Sequence, residues 1–307
     1  MQVSYGLPTH RVDRLDEFLT GDAIGELARA AEGAGFDAVY TTEHPFPGDA
    51  WLAHGGHHAL DPMVALSFAA ATTTSLRLHT NLFVPAYRNP FLAAKSVASL
   101  DVLSGGRVIL GLGAGYLQPE FEALGVPFAE RNDRTDDAIV AMKAAWTGAS
   151  VTRDGPGYAA TGNTALPRPV QRPHPPIWIG GNSRRAIRRA VDLADGWSPF
   201  PTTAKAAART HTTPLPGPSE LADHIGYART YAAEVGRTAR LDVIFIPEGL
   251  DMIRASYDPG VAVASCKALA GVGVTWVAVM LPGDTRDAQL GMIKRCEAEL
   301  IPQIHPL

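Results

Sequence analysis

At 307 residues and a formal net charge of −4, the chain has no basic excess with which to hold nucleic acid and is long enough to bury one large core. No apolar run reaches the length of a bilayer crossing, and MQVSYGLPTH lacks the basic and apolar segments of a secretory leader, so a cytoplasmic protein is expected. Cys266 and Cys296, the two cysteines, lie in alanine-rich helical patterns, which argues for buried thiols against a disulfide framework.

Strands are predicted at Gln2 to Gly6, Ala38 to Thr42, Leu76 to Leu82, Arg107 to Leu112, Ile177 to Gly180, Gly196 to Ser198, Leu241 to Ile246 and Thr275 to Met280. Each precedes a helical pattern, with helices starting near Asp22, Asp61, Asn89, Arg131, Ser183, Ser219, Asp258 and Asp284. Most starts carry an Asp, Asn or Ser whose short side chain can take first-turn N–H groups, and Pro62 and Pro90 sit where a missing N–H costs nothing. Eight such α/β units argue for parallel pairing and close into one (β/α)8 TIM barrel spanning residues 1–307. Two insertions break the rhythm. Residues 147–176, rich in Gly, Pro and Arg, are expected to hold a hairpin, and 199–218, following a strand's carboxyl end, reads as a mobile cover over a site.

Barrel active sites gather at the carboxyl ends of the strands, so the residues just past each strand matter most. After the second strand, Glu43 and His44 place a carboxylate beside an imidazole able to move a proton near neutral pH, followed by Phe46 and Trp51. Thr80, Asn81 and Leu82 end the third strand, where an irregular backbone could support a flat ring. The fourth strand runs into Gly111, Gly113 and Gly115, which remove every Cβ along one edge and let a ring approach the backbone. The run GLGAGYLQPEF fails as a dinucleotide fingerprint, because Tyr116 or Gln118 stands where the third glycine belongs and Pro119 where the helix should already run. After the fifth strand, Gly180, Gly181, Asn182 and Ser183 open a helix beginning Arg184-Arg185. Such a turn aims free N–H groups at one spot and suits an anion; an ordinary cap explains Asn-Ser but not the paired glycines. His54, His57 and His58 lack the rigid spacing of a metal site and read as part of a lid, and no metal is expected. Glu130, Arg131 and Arg134 with Asp136-Asp137 read as an ion-paired helix end.

Four segments together carry a resemblance: GLPTH (6–10), AEGAGFDAVYTTEHPF (31–46), YRNPFLAAKSVASLDVLSGGRVILGLGAGY (87–116) and IWIGGNSRRAIRRAVDLADGW (177–197). The chain resembles the luciferase-like monooxygenase superfamily, and within it the actinobacterial oxidoreductases that use the deazaflavin coenzyme F420. The resemblance implies a coenzyme ring across the barrel mouth, a non-prolyl cis peptide at Asn81-Leu82, a catalytic role for His44 with Glu43 beside it, and a phosphate held by Gly180 to Ser183 and Arg184. Gly113, Gly115 and Thr80 to Leu82 would support the ring, and Phe46, Trp51 and Tyr116 would hold a small organic substrate. Sugar-phosphate dehydrogenases of this kind carry a glutamate where Tyr116 stands, so glucose 6-phosphate is not expected as substrate. The alternatives are an FMN-dependent monooxygenase fed by a partner flavin reductase, as an F420 reductase would feed the first, and a non-catalytic coenzyme-binding protein. The latter is expected only if side chains fill the space over the ring. Apolar helices flanking Phe91 to Leu103 fit a homodimer.

Overall fold

In the computed structural model, which describes residues 1–209, 212–251 and 256–307, eight parallel strands close into a barrel. They are β1 (Gln2–Gly6), β2 (Ala38–Thr41), β3 (Arg77–Phe83), β4 (Val108–Leu112), β5 (Ile177–Gly180), β6 (Gly196–Ser198), β7 (Asp242–Phe245) and β8 (Trp276–Val279). β1 closes the ring, pairing Ser4 with Ala38 of β2 on one side and with Ala278 of β8 on the other. The predicted (β/α)8 architecture is therefore the observed one. Around it lie α1 (Gly21–Gly33), α2 (Pro62–Thr72), α3 (Pro90–Leu103), α4 (Arg131–Trp146), α5 (Arg184–Leu193), α6 (Pro218–Glu234), α7 (Pro259–Val272) and α8 (Arg286–Glu299).

Local chemistry sets the helix starts. Asp61 accepts the Met63 and Val64 N–H groups, Asn89 that of Phe91, and Asp258 that of Val261. At α1 and α8 the capping oxygen comes from Thr20 and Thr285, one or two positions away from the expected Asp22 and Asp284. Ile109, Trp178, Ile244 and Trp276 fill the barrel, and a larger apolar layer packs the strands' outer face against the helices. Each large buried side chain contributes roughly 1.5–3 kcal/mol. Among the described residues no helix is long and apolar enough to cross a membrane.

Both insertions are folded. Val151–Gly155 and Tyr158–Asn163 form the expected antiparallel hairpin, anchored on α4 where Asp137 accepts from Tyr158 at 2.7 Å and pairs with Arg153. In 199–218, Thr202 and Leu215 bridge antiparallel around a short helix, Ala204–Arg209, and Leu215 is fully buried. The two ends of the segment, at Pro199 and Leu215, are packed onto the barrel; Thr210 and His211 lie outside the described residues.

β3 carries the feature that shapes the barrel mouth. Its pairing with β4 shifts register between Thr80 and Phe83, and the Asn81–Leu82 peptide is cis, where the resemblance placed it. A Cβ on Gly111 would lie 2.1 Å from the Thr80 carbonyl oxygen, and one on Gly180 would lie 1.9 Å from Leu82 Cδ1. These two glycines are thus required by the neighbouring strand's irregular backbone and by Leu82.

Candidate active site

A cavity of about 220 Å³ opens at the carboxyl ends of the strands. Glu43 and His44 after β2, Asn81 and Leu82 on β3, Gly113, Gly115 and Tyr116 after β4, and Ser198 to Phe200 after β6 form most of its wall, with Ile244 to Ile246 and Ala278 opposite.

The strongest polar constellation is built around a residue that the sequence did not single out. Glu120, on the short helix Gln118–Ala123, is fully buried. One oxygen accepts the Phe46 N–H at 3.0 Å, and the other accepts the Tyr87 hydroxyl at 2.7 Å and faces His44 Nδ1 at 3.5 Å. The last distance is at the outer limit of a hydrogen bond, and Nδ1 has no other partner among the described residues. Burial pushes the Glu120 carboxyl up, but donors from His44, Tyr87 and Phe46 outweigh it and hold the group below its usual range. On its other side, His44 Nε2 lies 3.5 Å from the Tyr116 hydroxyl. Burial, reinforced by Glu120, pushes that hydroxyl up to about 12, so it stays protonated at neutral pH.

The two acidic neighbours of His44 therefore divide their tasks. Glu43 lines the cavity, yet one oxygen takes the Val84 N–H at 2.6 Å and the other pairs with Arg88. Burial raises its carboxyl against the opposing pull of Arg88. Glu43 is thereby committed to fastening the loop after β3, contrary to the proton-moving role read from its place beside His44.

Other expected residues divide similarly. Trp51 packs on His44 with centroids 4.5 Å apart and lines a shallower depression beside the cavity. Phe46 contributes only its backbone and turns its ring to solvent, 66 % exposed, so it does not line the cavity. Thr80 is buried with its hydroxyl donating to the Gly111 carbonyl at 2.9 Å, which leaves the cavity wall to Asn81 and Leu82. His57, read only as lid, reaches the wall and stands edge-on to His44 at 4.9 Å; burial lowers its pKa. Among the described residues no His, Cys, Asp and Glu cluster is arranged to hold a metal.

The Gly180–Ser183 turn adjoins this wall through Ser198, whose carbonyl accepts the Gly181 N–H at 3.4 Å. Gly181 has φ +110°, and Ser183 caps α5 through the Ala186 N–H at 3.2 Å. Asn182 is fully buried and is spent on structure: its amide donates to the Phe200 and Thr213 carbonyls and its oxygen accepts the Phe200 N–H. Arg185 pairs with Asp133 at 2.5 Å and Asp136 at 3.0 Å, while Arg184 lies exposed over the Tyr227 ring and forms no ion pair among the described residues. An anion at this turn would thus meet the first-turn N–H groups and Arg184, with Gly180 and Asn182 behind them.

Comparison with known proteins shows the family to which the chain belongs. Residues 1–215 match the luciferase-like monooxygenase family. An uncharacterised protein of Mycobacterium tuberculosis is 35% identical over 210 residues, 64% of this chain and 72% of that one. An F420-dependent glucose-6-phosphate dehydrogenase of Beutenbergia cavernae is 34% identical over 234 residues, 75% of this chain and 62% of that one. An FMNH(2)-dependent dimethylsulfone monooxygenase of Pseudomonas putida is 32% identical over 196 residues, 63% and 52% of the two chains. In fold, a monooxygenase from Streptomyces bottropensis superposes with a TM-score of 0.78 at 20% identity over 100% of both chains. An F420-dependent secondary alcohol dehydrogenase gives 0.75 at 17% identity over 99% of this chain and 98% of that one. The chain belongs to the luciferase-like monooxygenase family and is an oxidoreductase of its flavin- or deazaflavin-dependent class.

Proposed function

We propose that the protein transfers hydride between coenzyme F420 and a small organic substrate held against His44 and Tyr116. The observation that carries this reading is the relay in the cavity wall: buried Glu120 faces His44 Nδ1, and His44 Nε2 faces a protonated Tyr116 hydroxyl. A charged carboxylate on Nδ1 favours the tautomer with its proton there, leaving Nε2 to accept or return one. Tyr116 can donate to a substrate carbonyl or hydroxyl oxygen.

Ring and phosphate fit what the wall offers. Gly113 and Gly115 line the cavity, Asn81 and Leu82 would flank a ring, and the start of α5 with Arg184 would receive a phosphate. When bound, the coenzyme supplies the hydride chemistry. The protein's part is to orient the ring, hold a proton at His44 Nε2, and exclude water with Trp51, Pro199 and Phe200. Deazaflavin is favoured over FMN by the longer match to an F420-dependent relative. The FMN monooxygenase, with its reductase, remains the second reading because an FMNH(2)-dependent relative matches nearly as well. An open cavity argues against a non-catalytic coenzyme holder, for which side chains would fill that space. Exposed Val64, Phe68, Leu92 and Leu103 on α2 and α3 support the homodimer.

Mass spectrometry of the coenzyme retained on purification, with dissociation constants for F420 and FMN at low and high salt, tests the assignment. Tighter F420 binding with the steeper salt dependence is expected, since more ion pairs are screened. Tighter FMN binding with equal slopes would make the protein an FMN monooxygenase.

A further inference from the structure

A second cavity, about 240 Å³, lies at the opposite end of the barrel, between α6 and the outer face of β6 and β7. It exists because α6 turns Ile225, Ala228 and Ala232 toward the barrel, where larger side chains would close the gap, and because Gly273 adds no side chain at the rim. The floor is apolar, formed by fully buried Trp197 and by Val243, and three arginines stand around it: Arg229, Arg237 and Arg240. Arg237 is held by the Ala239 and Val191 carbonyls at 2.9 and 2.7 Å. Arg229 and Arg240 form no ion pair among the described residues. Conservation of shape alone would ask only for a filled core at this end of a barrel, where residues usually serve stability. An apolar hole under two guanidinium groups that form no ion pair among the described residues, though Arg240 also acts on Asp242, has instead the form of a site for an amphipathic anion: the chain escapes water while the fork-shaped cation takes the head group.

We propose that this cavity binds a medium-chain carboxylate, with its hydrocarbon on Trp197 and Val243 and its head group at Arg229 and Arg240. The size is suitable, since a cavity of about 150 Å³ already accepts benzene. Charge selects the class, because a carboxylate can engage a guanidinium bidentately and a cationic or neutral head group cannot. Trp197 ties the two ends of the molecule together: its indole N–H donates to the Gly181 carbonyl at 2.8 Å, in the turn that opens α5. An occupant of the second cavity therefore touches the residue that holds the turn beside the active site.

Isothermal titration of the full chain with octanoate, octan-1-ol and octylammonium tests the proposal. Octanoate should bind saturably at one site, at least about tenfold more tightly than either analogue, the scale of one charge-assisted hydrogen bond. Arg240→Gln, at an exposed position, should weaken octanoate to about the level of octanol, and Ala232→Phe should fill the cavity and remove binding of all three. Circular dichroism and a cooperative thermal transition confirm that the variants fold. Equal affinity for octanoate and octylammonium, no saturable binding, or octanoate binding unaltered in both variants would overturn it.

Discussion

At the scale of single residues, the site turns on how one imidazole is held. His44 stands between a buried carboxylate and a protonated phenol, an arrangement that gives its two nitrogens different duties. His44→Ala should lower turnover roughly a hundredfold or more with coenzyme affinity little changed, the usual cost of a lost acid or base. Equal losses in both would make His44 a structural contact. Glu120→Gln keeps one oxygen, enough for either the Phe46 N–H or the Tyr87 hydroxyl, while removing the charge facing Nδ1. We expect turnover about ten- to a hundredfold lower, with the pH profile of kcat/KM displaced. Turnover preserved with an unmoved profile would leave Glu120 a mere fastener of loops. Gly111→Ala belongs to the same scale: its methyl would meet the Thr80 carbonyl at 2.1 Å, and backbone cannot yield as a side chain can. Loss of soluble, folded protein is expected, and a melting temperature near that of the parent would show that β3 relaxes.

At the scale of elements, α5 and α6 carry the sharpest expectations. Arg185 and Arg189 are paired with acidic residues of α4, and Arg188 donates to the Tyr227 hydroxyl at 2.6 Å. Arg184 is the arginine of α5 left for a ligand, so Arg184→Gln should weaken F420 and flatten the salt dependence of its affinity, whereas Arg188→Gln should change neither. Equal effects of the two would place the coenzyme's phosphate elsewhere. In α6, Gly226 has open space where a Cβ would stand, so Gly226→Ala should raise stability by roughly 0.5–1 kcal/mol by relieving the helix of its most flexible residue. Chemical denaturation measures this, and a destabilised variant would contradict regular helix at that point.

At the scale of the whole molecule, titration inside the barrel sets the acid limit of stability. His79 is fully buried, touches Ser4 and the Trp178 ring, and burial, aided by Arg77, lowers its pKa to about 3; burial and His57 lower that of His10 to about 4. The unfolded chain takes these protons near the ordinary value of about 6.5. Below that pH the unfolded state binds more protons than the native one, so stability is fully present above about 6.5 and declines as pH falls toward 3. Glu32 adds a second decline at lower pH. Burial opposes its charge, but N–H groups of Ser75, Leu76 and Thr74 prevail and hold it at about 2, so its contribution is lost as pH falls from its ordinary range toward 2. Melting temperatures between pH 7 and 4 should drop, and His79→Gln should drop less over that interval. An identical slope would remove His79 from the acid response.

The periodic parts of this protein were readable along the chain, because strand alternation, capping residues and loop composition are local properties. That is why the barrel, the hairpin and the caps of α2, α3, α5 and α7 stand where expected. The places of His44 and Tyr116 were legible for the same reason, since a strand's carboxyl end points into a barrel's mouth. What the glycines serve was not. Gly111 looks like a ring's landing place and Gly180 like part of an anion-binding turn until β3 is set beside them, when the Thr80 carbonyl and Leu82 are found to occupy the space a Cβ would need. Glu43 and Glu120 could not be ranked from spacing either: the nearer carboxylate is claimed by Arg88, and the farther one returns from a different loop to face the imidazole. Which polar group pairs with which depends on distances between loops remote in sequence, and burial, which prices every unpaired charge, is fixed only when those loops are packed together.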